Sequence, residues 1–167
     1  MGIKTYEEMN DLELDILKEI GSIGGGKAAT ALSSMLSAKV NMSLPKVEIL
    51  DFNEALVNVG DPEEVVAAIL VEMSGELSGI MLFILTKEFS DEILFRMLGK
   101  TEADFFELDE IDSSVLMEIG NIVISSYITA MASLVNMSVE LSVPQLAVNM
   151  LGGIMSVPIA MMGQHSD

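Results

Sequence analysis

Apolar residues recur at helical spacing from Asp11 to Ala38, where Leu12, Ile16, Ile20 and Ile23 fall on one arc. The pattern predicts a long helix with that arc turned to the core. Val40 to Asp51 reads as a strand, and Pro45 makes it an edge or irregular one. Asp61-Pro62 marks a turn. Val65 to Met73 and Leu77 to Leu85 are β-rich runs joined across Ser74-Gly75-Glu76, the pattern of a hairpin. Ser90 to Leu98 predicts a helix stopped by Gly99, and Thr101 to Asp109 an acidic connector. A second long helix is predicted from about Glu110 to Asn136, then a strand over Ser138 to Val143. From Leu146 onward a further helix is expected, weakened by Gly152, Gly153 and Pro158.

The second long helix repeats the first. Asp15-Ile-Leu-Lys-Glu19-Ile-Gly-Ser22 matches Ser114-Val-Leu-Met-Glu118-Ile-Gly-Asn121, and Leu44-Pro45 matches Val143-Pro144. The offset is 99 residues at every matched position. A register kept over so long a stretch indicates an internal duplication. Repeat one covers about 11–99 and repeat two about 109–167, in a single domain. The expected fold is α/β, more narrowly layered α+β. Two long helices, related by a pseudo-two-fold axis, pack on one side of a mainly antiparallel sheet. Shifting Val65–Leu85 by 99 puts its counterparts at 164–184, of which the sequence holds four residues. This arithmetic predicts a second copy cut short at its C-terminal end. Its incomplete sheet edge would suit a homodimer, or the chain is a piece of a longer protein.

Within each helix runs a polar stripe. Asp15, Glu19 and Ser22 stand at i, i+4 and i+7, within about 60° of one face. Ser114, Glu118 and Asn121 repeat the line. For one helix alone, a solvated face would explain such a stripe. A solvated face does not require the same acid, the same following Ile-Gly and the same distant proline twice. A carboxylate can pair with a partner's lysine. A neighbouring carboxamide can donate and accept at once, and so hold a water in place. That chemistry suits hydrolysis of an already reactive acyl phosphate, although the stripe alone does not single it out.

Composition narrows the field. Half of the 167 residues are apolar, with fourteen Met but only six Phe, two Tyr and no Trp. The core is therefore expected to be aliphatic and Met-filled. A net charge of −18 argues against nucleic acid and anionic membrane as partners and suits a basic protein surface. Without Cys, disulfides and thiolate chemistry are excluded, and the one His, His165, reads as a tail residue. Residues Ile119 to Val139 carry no charge, long enough to span a bilayer. Seven Ser, Thr and Asn residues interrupt them, and no Lys or Arg follows Lys100 to supply a positive flank. A buried helix of a cytoplasmic protein is the expectation. Gly21-Ser-Ile-Gly-Gly-Gly26-Lys27 mimics a phosphate-binding loop, but Ala28 replaces the magnesium-binding hydroxyl and a helix replaces the preceding strand. No nucleotide or metal of its own is expected. The glycines are expected to let two helices approach closely.

These residues resemble the CheC family of chemotaxis proteins. That family's signature, Asp/Ser-x3-Glu-x2-Asn-x22-Pro, is present twice: Asp15, Glu19, Ser22, Pro45, and Ser114, Glu118, Asn121, Pro144. Lys18-Glu-Ile-Gly, Ala28-Ala-Thr-Ala-Leu, Pro62-Glu-Glu and Gly120-Asn-Ile also match. The resemblance implies hydrolysis of the aspartyl phosphate of phosphorylated CheY. In it the Asn places a water at the phosphoryl group, the Glu pairs with a lysine of CheY, and magnesium is supplied by CheY. It also implies binding to the receptor deamidase CheD. Two positions depart from the family. Ser22 stands where the family has Asn, and Asn149 stands where it carries Asp, in the region used for CheD docking. The competing expectations are a low-activity adaptor that regulates CheD, or a flagellar-switch component of the FliY type.

Overall fold

The computed structural model describes residues 9–43 and 46–162. The order is α1 (Asp11–Leu36), α2 (Phe52–Val59), β1 (Val65–Gly75), β2 (Gly79–Leu85) and α3 (Lys87–Leu98). It continues with α4 (Glu110–Val135), β3 (Val139–Leu141), β4 (Gln145–Met150) and α5 (Leu151–Met162).

The two long helices are copies down to their ends. Each has 26 residues and begins at a capping box, Asn10 with Glu13 and Asp109 with Asp112. In each box the cap side chain accepts from the backbone three residues on, and the acid reaches back to the cap N–H. Each ends on a left-handed residue, Ser37 (φ 48°) and Asn136 (φ 54°). The caps, like the stripes, are 99 apart. So are the first residues of α2 and α5, Phe52 and Leu151.

All strand pairing passes through β1. On one edge it pairs antiparallel with β2, Ile69 opposite Phe83. On the other edge it pairs with β4, Ile69 opposite Leu146, and then with β3, Met73 opposite Leu141. A strand hydrogen-bonded on both edges and covered on both faces has no solvent side, which accounts for its unbroken Val-Val-Ala-Ala-Ile-Leu-Val. Ala67, Ile69 and Val71 face the main core, with Leu32 and Leu36 of α1, Ile93 and Leu94 of α3, and Leu116, Ile119, Ile124 and Ile128 of α4. Val66 and Ala68 face the opposite way and pack under Leu151 and Ile154 of α5. The layers are three helices, the sheet, and α5. The expectation of two long helices on one side of an antiparallel sheet holds, with α5 as an added cover on the far side.

Three local expectations are corrected. Val40–Asp51 is not a strand: its described residues run without a ladder along a groove of about 900 Å³ lined by Leu14, Val47, Ile49 and Phe52. Its counterpart in repeat two forms β3 and β4 because β1 lies beside it. The matching neighbour of 40–51 would come from 164–184, outside the described residues, as are Pro45 and His165. Second, Leu146–Met150 belongs to β4, so the last helix starts only at Leu151 and then runs through Pro158. Third, Leu12 and Ile16 do not reach the core, being 69% and 47% exposed. Helix α4 lies on β1, β2 and β4, whereas α1 packs chiefly on α4.

Candidate functional site

The site is best followed from the back of α4 outward. Gly120 sits over the centre of β1, where a Cβ would collide with Ile69. Ile119 beside it is fully buried in the main core. This seating fixes the rotation of α4. Glu118 is left exposed and Asn121 half-buried, one turn apart on the outward side, with Ser114 exposed one turn before Glu118. Among the described residues no hydrogen bond or ion pair engages the Glu118 carboxylate. Ser114 Oγ donates to the carbonyl of Glu110 at 2.7 Å, so it is spent on its own helix.

Sequence reasoning missed one neighbour. Ser125, also half-buried, lies one turn beyond Asn121, and its Oγ is 3.5 Å from Asn121 Oδ1. The spacing i+4 on the same stripe was the available signal.

The first stripe has the same layout and different chemistry. Asp15 and Glu19 are exposed and Ser22 is half-buried. Asp15 is paired with Lys18 at 3.2 Å, a contact the second copy lacks because Met117 stands at the equivalent place. Position 26, the equivalent of Ser125, is Gly26, with nothing within 4 Å of where its Cβ would be. The first stripe therefore offers a carboxylate at Glu19 but neither the amide nor the second hydroxyl.

The glycines that mimic a phosphate loop lie inside α1, preceded by helix from Asp11 to Ile20. A Cβ on Gly24 would stand 2.9 Å from Tyr127 Cα, and one on Gly25 would collide with Met42. Gly24 lets α1 and α4 approach closely, as expected; Gly25 packs on Met42 outside the helices, and Gly26 faces open space. Burial of the Tyr127 ring at this crossing raises its hydroxyl pKa. Helix α4 has the length and mean hydropathy, 1.5, of a membrane span. Here it packs against α1, α3, β1, β2 and β4 inside the domain.

The sequence pattern of the CheC-like family matches residues 12–49 and 111–148, two segments again 99 apart. The CheY-P phosphatase CheC of Bacillus subtilis is 32% identical over 169 residues, 98% of this chain and 81% of that protein. The chain belongs to the CheC-like family. Flagellar motor switch phosphatase FliY of the same organism is 28% identical over 144 residues, 86% of this chain but 37% of that protein. The crystal structure of Thermotoga maritima FliY superposes with a TM-score of 0.71 at 26% identity, covering 86% of this chain and 72% of that one. The two segments matched to the CheC-like pattern contain both stripes. Asn149, the position tied by resemblance to CheD, is exposed on β4, and its Oδ1 accepts from the N–H of Met150 at 2.8 Å.

Proposed function

We propose that this chain is a cytoplasmic phosphatase of chemotaxis that hydrolyses the aspartyl phosphate of phosphorylated CheY, and that α4 carries the working site. The observation behind this reading is Glu118 and Asn121 together, an unengaged carboxylate and a carboxamide one turn apart on a helix seated against the sheet at Gly120. Glu118 pairs with a lysine of the regulator and sets the approach. Asn121 enters beside the phosphoryl group and holds a water in line with the bond to be broken. The water oxygen bonds to phosphorus as the phosphorus–carboxylate oxygen bond breaks. The electron pair returns to the regulator's aspartate, and the water's protons leave with inorganic phosphate. Magnesium supplied by the regulator would offset the phosphoryl charge. The acyl phosphate is reactive already, so placing the water is the main task.

The first stripe, with Ser22 for Asn, is the weaker site. Asn121→Ala should slow CheY-phosphate decay about 100-fold. Ser22→Ala should change it little, and Ser22→Asn should raise it. The measurement is the loss of radiolabelled phosphate from CheY with each variant at matched circular dichroism. Wild-type turnover by Asn121→Ala would remove the second stripe as the catalyst. CheD docking is the adaptor reading, and it would use the β4 and α5 surface around Asn149. Asn149→Asp should strengthen it if a carboxylate is what CheD reads there.

A further inference from the structure

We propose that Ser125 is a positioning residue for Asn121, its hydroxyl holding the carboxamide oxygen so that the rest of the amide faces the phosphoryl group and the attacking water. The proposal rests on the phosphatase reading above. It starts from how helical hydroxyls are used elsewhere in this chain. Thr30, Ser33 and Ser114 each donate to the backbone carbonyl four residues earlier, at 2.9, 2.7 and 2.7 Å. That bond is the usual local option for a hydroxyl inside a helix. Ser125 instead faces the Asn121 side chain, its Oγ 3.5 Å from Oδ1.

At 3.5 Å the contact is long for a bond between a hydroxyl and an oxygen. Contacts of this kind are often long in a free enzyme and tighten when the substrate docks. A carboxamide oxygen has two lone pairs. With one accepting from Ser125, the other lone pair and both amide N–H groups keep a fixed direction. Without that hydroxyl the amide can turn about its last torsion, and the water it holds turns with it.

The first copy supplies an independent comparison. It lacks both members of the pair: Ser22 replaces the Asn, and Gly26 replaces Ser125. A glycine inside a helix costs about 1 kcal/mol relative to alanine, so it calls for a packing reason. Gly24 and Gly25 have one in Tyr127 and Met42, whereas the space around Gly26 is open. Packing does not forbid a side chain at 26. The hydroxyl is missing where there is no amide to hold.

The test is steady-state hydrolysis of CheY phosphate, with kcat and KM determined separately. Ser125→Ala should lower kcat about tenfold and leave KM unchanged, because Glu118 and the docking surface are untouched. Ser125→Thr, which keeps the hydroxyl, should restore most of the rate. Ser125→Ala added to Asn121→Ala should cost nothing further. In the first copy, Ser22→Asn with Gly26→Ser should exceed Ser22→Asn alone. Full kcat for Ser125→Ala in a protein that Asn121→Ala inactivates would overturn this proposal and leave the phosphatase reading standing. Full activity of Asn121→Ala would overturn both.

Discussion

At the residue scale, the proposed function gives the exposed Glu118 carboxylate and the half-buried Asn121 separable tasks. On that reading Glu118 would meet its cation in water, so its contribution would be modest and screened by salt. Glu118→Gln should raise KM for CheY phosphate several-fold, with a smaller change in kcat. It should also flatten the dependence of KM on ionic strength; a salt profile identical to wild type would separate Glu118 from docking. The stripe that both residues occupy was legible because period and offset are properties of the sequence. The Ser125 contact was not, although its i+4 spacing was, since a helical hydroxyl chooses between a backbone carbonyl and a side chain by its rotamer. The exposure of Leu12 and Ile16 was equally hidden, because apolar spacing marks a face without saying what lies opposite it.

Among the elements, the helix starts differ more than their shared geometry suggests. Asn10 and Glu13 cap α1 in solvent, whereas Lys100 holds the caps of α4. Its ammonium bonds Asp109 at 2.9 Å and also bonds Asp112, which is only 4% exposed. The Lys100 hydrogen bond, with help from the Asp112 N–H, lowers the Asp109 carboxyl below its ordinary range. Hydrogen bonds to Asp109 and Asp112 raise the Lys100 ammonium above 10.5. The signs define a window. Asp109 contributes stability above its ordinary pKa, and loses it as pH falls through the lowered value. Lys100 contributes below its ordinary pKa, and loses it as pH rises through the raised value. Lys100→Met should therefore lower the urea midpoint at pH 7, and the deficit should shrink between about pH 5 and pH 3. A constant deficit across that range would assign the loss to packing. Most elements were readable from capping, turns and alternation. Segment 40–51 was not, because the alternation that makes a strand in repeat two makes none where no strand lies alongside among the described residues.

For the whole molecule, the two repeats interlock: α4 of the second lies across β1 of the first, with Gly120 against Ile69. Gly120→Ala should lift the helix, lowering both thermal stability and phosphatase rate together. Adding Ile69→Ala makes room for the new methyl. On its own that change removes buried volume at a cost of about 2–5 kcal/mol. The double variant should thus be more stable than the sum of the single losses predicts, with recovery of rate as the second readout. Strictly additive losses would mean that the two residues do not set the seating of α4. The duplication made this architecture accessible from sequence, since matched helices imply matched packing. Which copy covers which could not be read, because the repeat leaves the exchange of partners open.

The place of β1 at the centre of the ladder also has a consequence in time. Its strand is complete at Gly75, but β4 does not begin until Gln145. At roughly 5–20 residues per second, synthesis leaves a wait of several seconds to more than ten before that edge can close. During it, a run of Val, Ala, Ile and Leu has β2 on one side only. A nascent chain held at this stage is the one a chaperone would be needed to shelter.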